Sequence, residues 1–61
     1  MTHRFRVDVE MFWKIRQWMN DNLTGPHSGH ITVGQYGVVE CEKAQDAVAL
    51  RLVFSSKIVP I

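Results

Sequence analysis

The chain has 61 residues, 46% of them hydrophobic, with a formal net charge of +1 and a single cysteine. So short a chain makes one domain and buries only about 60% of the surface its unfolded form exposes, so marginal stability and self-association are expected. The composition excludes disorder, the near-neutral charge excludes bulk attraction to nucleic acid or anionic lipid, and the lone cysteine excludes an internal disulfide or a multi-cysteine metal site.

The N-terminus has no apolar signal core, and no run approaches the roughly 20 apolar residues that span a bilayer. No membrane is expected, and the cytoplasm is the expected location.

His3 to Asp8 alternates, with Phe5 and Val7 on one side and Arg4 and Arg6 on the other. That period predicts a short, half-buried strand. The stretch from Asp8 to Leu23 follows with almost no linker and has a clean helical period. At about 100° per residue, Met11, Phe12, Ile15, Trp18, Met19 and Leu23 fall within a stripe of about 140°, the arc of a helix with one buried face. Glu10, Lys14, Gln17, Asn20 and Asp21 project from the opposite side. Asp8 is the expected N-cap, Glu10 suits the positive end of the helix dipole, and Gly25-Pro26 ends the helix.

Trp13 breaks the pattern. It lies roughly 150° from the centre of the apolar stripe, with Glu10 before it and Arg16 and Gln17 one turn after. A tryptophan flanked by arginine is a pairing enriched at binding hot spots, and a ring lying flat over its neighbours is the other reading.

Thr24 to Gly29 is rich in turn formers and predicts a loop. Gln35-Tyr36-Gly37 then reads as a three-residue hairpin loop, with Gly37 in the left-handed position of a bulge. That register pairs Val33 with Val39 and Ile31 with Cys41 on one face, and Thr32 with Glu40 on the other. A further strand is expected with Val48, Leu50, Leu52 and Phe54 on one side, and a helical turn over Ala44 to Ala49 is the competing reading. The tail Ile58-Val59-Pro60-Ile61 is expected as an edge piece or a flap, because Pro60 limits its pairing.

Together these elements predict an α+β domain of order β-α-β-β-β. Its sheet has three to four strands, mostly antiparallel, and one amphipathic helix packed on one face. A simple crossover makes strand one parallel to strand two. The pairing of strand one, with the second or with the last, is left open.

Few residues offer chemistry. His27-x-x-His30 has two metal-ligand types, with His3, Cys41 or a carboxylate left to complete a set, but two histidines in a Gly/Ser/Pro loop are more often solvated. Cys41 with a histidine would make a nucleophile pair, yet the expected register turns Cys41 inward, where a thiol acts as a small hydrophobe. Gly34 and Gly37 flank a hairpin and not a helix start, so no phosphate loop is present. No catalytic residue, metal or cofactor is expected.

Arg4, Arg6 and Arg51, joined by Tyr36, would form a sheet face able to bind single-stranded nucleic acid by phosphate contact and stacking. Lys57 adds a further basic residue. Glu40, Glu42 and Asp8 on the same face would offset the charge.

The C-terminal third, VVECEKAQDAVALRLVF, resembles a recurring ending of short proteins encoded by tailed bacteriophages. The matching part is Gln45-Asp46-Ala47-Val48-Ala49-Leu50-Arg51-Leu52. In that pattern a strand leads to a turn with Asp-Ala, then to a strand of alternating apolar and basic residues. An aromatic usually stands where this sequence has Leu50. The resemblance implies a compact viral accessory protein in the host cytoplasm, with no catalytic residues.

The resulting expectation is a small non-enzymatic binding protein that docks on a host protein or on itself through Trp13, Arg16 and Gln17. The alternatives are a nucleic-acid-binding module using Arg4, Arg6, Tyr36 and Arg51, or a structural subunit of a homo-oligomer.

Overall fold

The computed structural model describes residues 1–61. In chain order it contains β1 (His3–Asp8), α1 (Val9–Asn22), β2 (His27–Ile31), β3 (Tyr36–Cys41), α2 (Ala44–Val53) and β4 (Ile58–Pro60). The four strands form one sheet in the order β2-β3-β1-β4, with every neighbouring pair antiparallel. This is the split βαβ, or ferredoxin-like, topology. It hosts many unrelated activities, so function must be argued from sites.

The first third follows the sequence pattern. On β1 the side chains of Phe5 and Val7 are buried, while Arg4, Arg6 and Asp8 face away. α1 buries Phe12, Ile15 and Met19, and Met11, Trp18 and Leu23 sit half-buried at the rim of the core. Asp8 occupies the N-cap position in extended conformation, but its carboxylate makes no capping hydrogen bond. At the other end the Leu23 N–H donates to the Met19 carbonyl (2.9 Å) and the Asn22 amide to the Trp18 carbonyl (2.9 Å), which closes the last turn.

The hairpin departs from the expected register. β2 pairs Ile31 with Gly37, Gly29 with Val39 and His27 with Cys41, a slip of four residues from the predicted ladder. The turn is Thr32 to Gln35, closed by the Thr32 N–H to the Tyr36 carbonyl (2.9 Å) and the Gln35 N–H to the Thr32 carbonyl (3.0 Å). Val33 stands fully exposed at its tip, not opposite Val39. Gln35, not Gly37, takes positive φ (65°). Gly37 is small for a different reason: a Cβ there would run into the Phe12 ring and Val7. The helix must come close at that point, and this decides the register.

The stretch expected as a strand over Val48 to Phe54 is the helix α2. Its helix-forming composition, Asp46 in the first turn and Arg51 in the last all favour this state. Topology requires it as well. β3 and β4 both run antiparallel to β1, which lies between them, so they run parallel to each other. Parallel strands need a crossover, and α2 supplies it. The buried set becomes Ala47 and Leu50, with Phe54 half-buried and edge-on to Trp18 (centroids 5.4 Å apart), while Val48 and Leu52 point outward. The segment that carries the phage-like resemblance is therefore helical, where that pattern has a turn and a strand.

β1 pairs with neither of the two strands left open for it: its neighbours are β3 and β4, the latter being the tail expected as an edge piece or a flap. It runs in the same direction as β2, as the simple crossover predicts, with β3 between them. Both helices cover one face of the sheet and close a single core of Phe5 and Val7, Phe12, Ile15 and Met19, Val39 and Cys41, Ala47 and Leu50, and Ile58. No helix is long and apolar enough to cross a membrane.

Candidate docking surfaces

The outer side of α1 carries Trp13, Arg16 and Gln17. Trp13 is 71% exposed and touches the fold through an edge-on contact with Phe12 (5.0 Å between centroids). Gln17 is exposed and donates to the Asp21 carboxylate at 3.3–3.4 Å. Arg16 turns toward the sheet instead. Its Cδ and Nε lie 2.7 and 3.2 Å from where a Cβ of Gly29 would stand. Its Nη1 is buried with no hydrogen-bond partner. The three residues share a side of the helix, but only Trp13 and Gln17 are exposed, and Gln17 is engaged by Asp21.

The face of the sheet away from the helices collects Arg4, Arg6 and Tyr36. The Arg4 guanidinium binds the Glu40 carboxylate across the β1–β3 ladder, and Ser28 donates to the same carboxylate (3.3 Å). Arg6 lies over the Tyr36 ring at 4.4 Å from its centroid, so one face of that ring is already covered. Arg51 is not on that face: it is on α2, on the helix side of the sheet, and shares with Arg4 only an open pocket at the β1–β4 edge. The expected trio of arginines is thus reduced to two, and one of those is neutralised.

The histidines and the thiol do not assemble. Spacing by three on a strand sends His27 and His30 to opposite faces. His27 engages the Gly25 carbonyl through Nδ1 (2.9 Å) and the Asn20 side chain through Nε2 (3.1 Å). The ladders place His3 and His27 on either side of Cys41, yet no three such side chains converge as a metal site would require. Cys41 is buried, and burial, followed by the charges of Asp46 and Glu42, pushes its thiol pKa up. A protonated, buried thiol packs as an apolar group and is a poor nucleophile. It faces inward as expected, although its cross-strand neighbour is His27 and not Ile31.

Two features were hidden in the sequence. The first is Asp46, a buried carboxylate in the first turn of α2. It accepts from the Gly25 N–H (2.9 Å) and from the Thr24 N–H and hydroxyl (3.3 Å each), tying α2 to the loop before β2. Burial alone would raise its pKa, but these hydrogen bonds and the nearby Lys43 outweigh it and hold the carboxyl below its ordinary value. Asp46 follows Lys43-Ala44-Gln45, which in isolation reads as a turn.

The second is an apolar surface on α2 and the C-terminal tail. Val48 (54%), Leu52 (77%), Val53, Val59 and Ile61 are exposed there, and Val48, Leu52, Ile58 and Pro60, with Arg51 and Ser55, line an open groove between α2 and β4. Val59 pairs with Arg6 and so emerges on the open face, which carries the apolar surface around the β4 edge. The available signal was the apolar excess of this stretch. A helix over Val48 to Val53 has more apolar side chains than one buried face can hold.

The chain matches no protein-family model, no curated protein and no solved structure.

Proposed function

We propose that this chain is a small non-enzymatic binding protein that docks on another protein through the apolar surface around α2 and β4. The observation that carries this reading is the open groove between α2 and β4, lined by exposed Val48 and Leu52 with Ile58 and Pro60, beside a tail on which Val59 and Ile61 are exposed as well. Contiguous apolar surface of this kind marks protein contacts, whereas scattered single residues do not. Trp13, on the other helix, is a separate exposed aromatic and fits a secondary anchor.

Leu52→Asp tests the reading. The side chain is 77% exposed, so folding should be unaffected, with melting and circular dichroism as in the wild type. The wild type should associate, with itself in sedimentation velocity or with a protein captured by a photo-crosslinker on α2, and the variant should not. A wild-type chain that stays monomeric and captures nothing more than the variant does would end the proposal.

The second reading, binding of single-stranded nucleic acid, draws on Arg6 stacked over Tyr36. The Arg4–Glu40 pair and the position of Arg51 count against it. Titration of a labelled oligonucleotide at two salt concentrations tests it, because phosphate-driven affinity must fall steeply with salt. No binding at low salt removes it.

A further inference from the structure

The backbone along β2 is open in a way that the opposite edge is not. Thr32 and Glu42 donate their N–H groups to the carbonyls of Tyr36 and Pro26, which fixes the phase of the β2–β3 ladder. Residues bonded to the partner strand alternate with residues whose N–H and C=O point away. Ser28 and His30 therefore face β3, while His27, Gly29 and Ile31 direct their backbone groups outward, where no other strand meets them. On β4 the Ile61 N–H to Arg4 carbonyl bond sets the phase, and Ile58 and Pro60 face outward. There the Ile58 N–H is taken by the Phe54 carbonyl (3.2 Å), and proline has no N–H to offer. One edge presents three donors and the other none.

Arg16 lies over the helix-side face of β2 at its middle residue, Gly29. Its side chain fills the space left by the missing Cβ of Gly29, yet its guanidinium takes part in no ion pair, and buried Nη1 has no acceptor. The Asn20–His27 contact and the Arg16–Gly29 contact lay α1 antiparallel along β2. Continued by one helical turn, that alignment sets the turn of α1 that carries Trp13 level with Ile31, and both side chains are exposed (71% and 43%).

From this geometry we infer that the β2 edge receives an extended strand of a partner protein carrying a carboxylate opposite Gly29. A residue at that position projects on the same face as the Arg16 side chain. Its carboxylate supplies the acceptor the guanidinium lacks, and an apolar residue two positions along packs against Ile31 and Trp13. Strand addition supplies main-chain hydrogen bonds, and the alternate side chains supply selectivity. A second copy fits less well, since twofold pairing of β2 about Gly29 sets two Arg16 guanidinium groups side by side. This inference is independent of the surface on α2 and β4.

The test uses two synthetic peptides, Thr-Val-Thr-Glu-Thr-Val-Thr and its counterpart with Lys at the centre, each N-methylated on one edge to prevent self-pairing. Titrated into the 15N-labelled protein, the Glu peptide should shift and protect the amides of Gly29 and Ile31. It should also bind about tenfold tighter than the Lys peptide, as expected for one charge-assisted contact. Arg16→Met keeps the stem over Gly29 and should abolish that preference. Equal affinities, unmoved β2 amides, or the same preference in Arg16→Met would each overturn the proposal. So would protection that rises with protein concentration without peptide, which would mean that a second copy holds the edge.

Discussion

At the β4 end of the sheet the backbone is spent: a helix-end carbonyl takes one outward N–H and a proline removes the other, while Val59, Pro60 and Ile61 give the edge an apolar skin. At the β2 end the reverse holds. His27, Gly29 and Ile31 leave their backbone groups unpaired, and the surroundings are polar, with the Arg16 guanidinium beside Gly29 and no carboxylate on the strand. Proline and a captured N–H protect an edge from further strands by removing its donors, whereas a charge such as Arg16 leaves the donors in place and disfavours strands that bring it no counter-charge. The two ends of one sheet therefore suit different contacts, side-chain packing at β4 and strand pairing at β2.

The largest expected effect tests whether the β4 side is held by side-chain burial. Leu50→Ala empties a fully buried position under α2 and should cost about 3 kcal/mol in a urea melt. A loss below about 1 kcal/mol would mean that α2 is only loosely applied to the sheet. On the β2 side the weak point is conformational. Gln35 holds φ at 65°, so Gln35→Gly should stabilise the domain by about 1 kcal/mol, and no gain would place the turn strain elsewhere. Trp13→Ala, beside the open edge, should cost about 1 kcal/mol or less, because the ring is mostly exposed. If its melting loss equalled that of Leu50→Ala, Trp13 would belong to the core and could not flank an incoming strand.

The smallest effect joins the two sides and appears only in acid. Asp46 is depressed in the folded state, so its contribution is fully present above the ordinary carboxylate pKa of about 3.9 and is lost as pH falls through the lower folded value. Asp46→Asn should flatten the fall in stability over that acid range in pH-dependent thermal melts. An unchanged acid limb would mean that the carboxylate does not tether the loop at Thr24 and Gly25.

Much of this architecture could be read from periodicity. Phe5, Val7, Phe12, Ile15 and Met19 are buried as their spacing requires, and Trp13 is outside. The β2–β3 register stands four residues from the one the turn residues predict, but an even slip preserves faces, so Cys41 and Val39 point inward and Glu40 outward in either register. Gly37 misled because a glycine needed for a close helix and a glycine needed for a turn look the same in sequence. α2 misled because Leu50 satisfies both a two-residue and a helical period, and ten residues are too few for either to win. Of the residues expected to dock a partner, Trp13 and Gln17 are exposed, whereas Arg16 is folded over β2 into the gap at Gly29, which nothing in its own helix indicates.

By itself the sequence determined which side chains of β1 and α1 turn inward, because a local repeat specifies a face before any partner is present. Only the tertiary structure decided the strand order, the helical state of 44–53 and the unequal edges. Those depend on where β1 comes to lie between strands distant in the chain, and on which N–H groups that placement leaves without a neighbour.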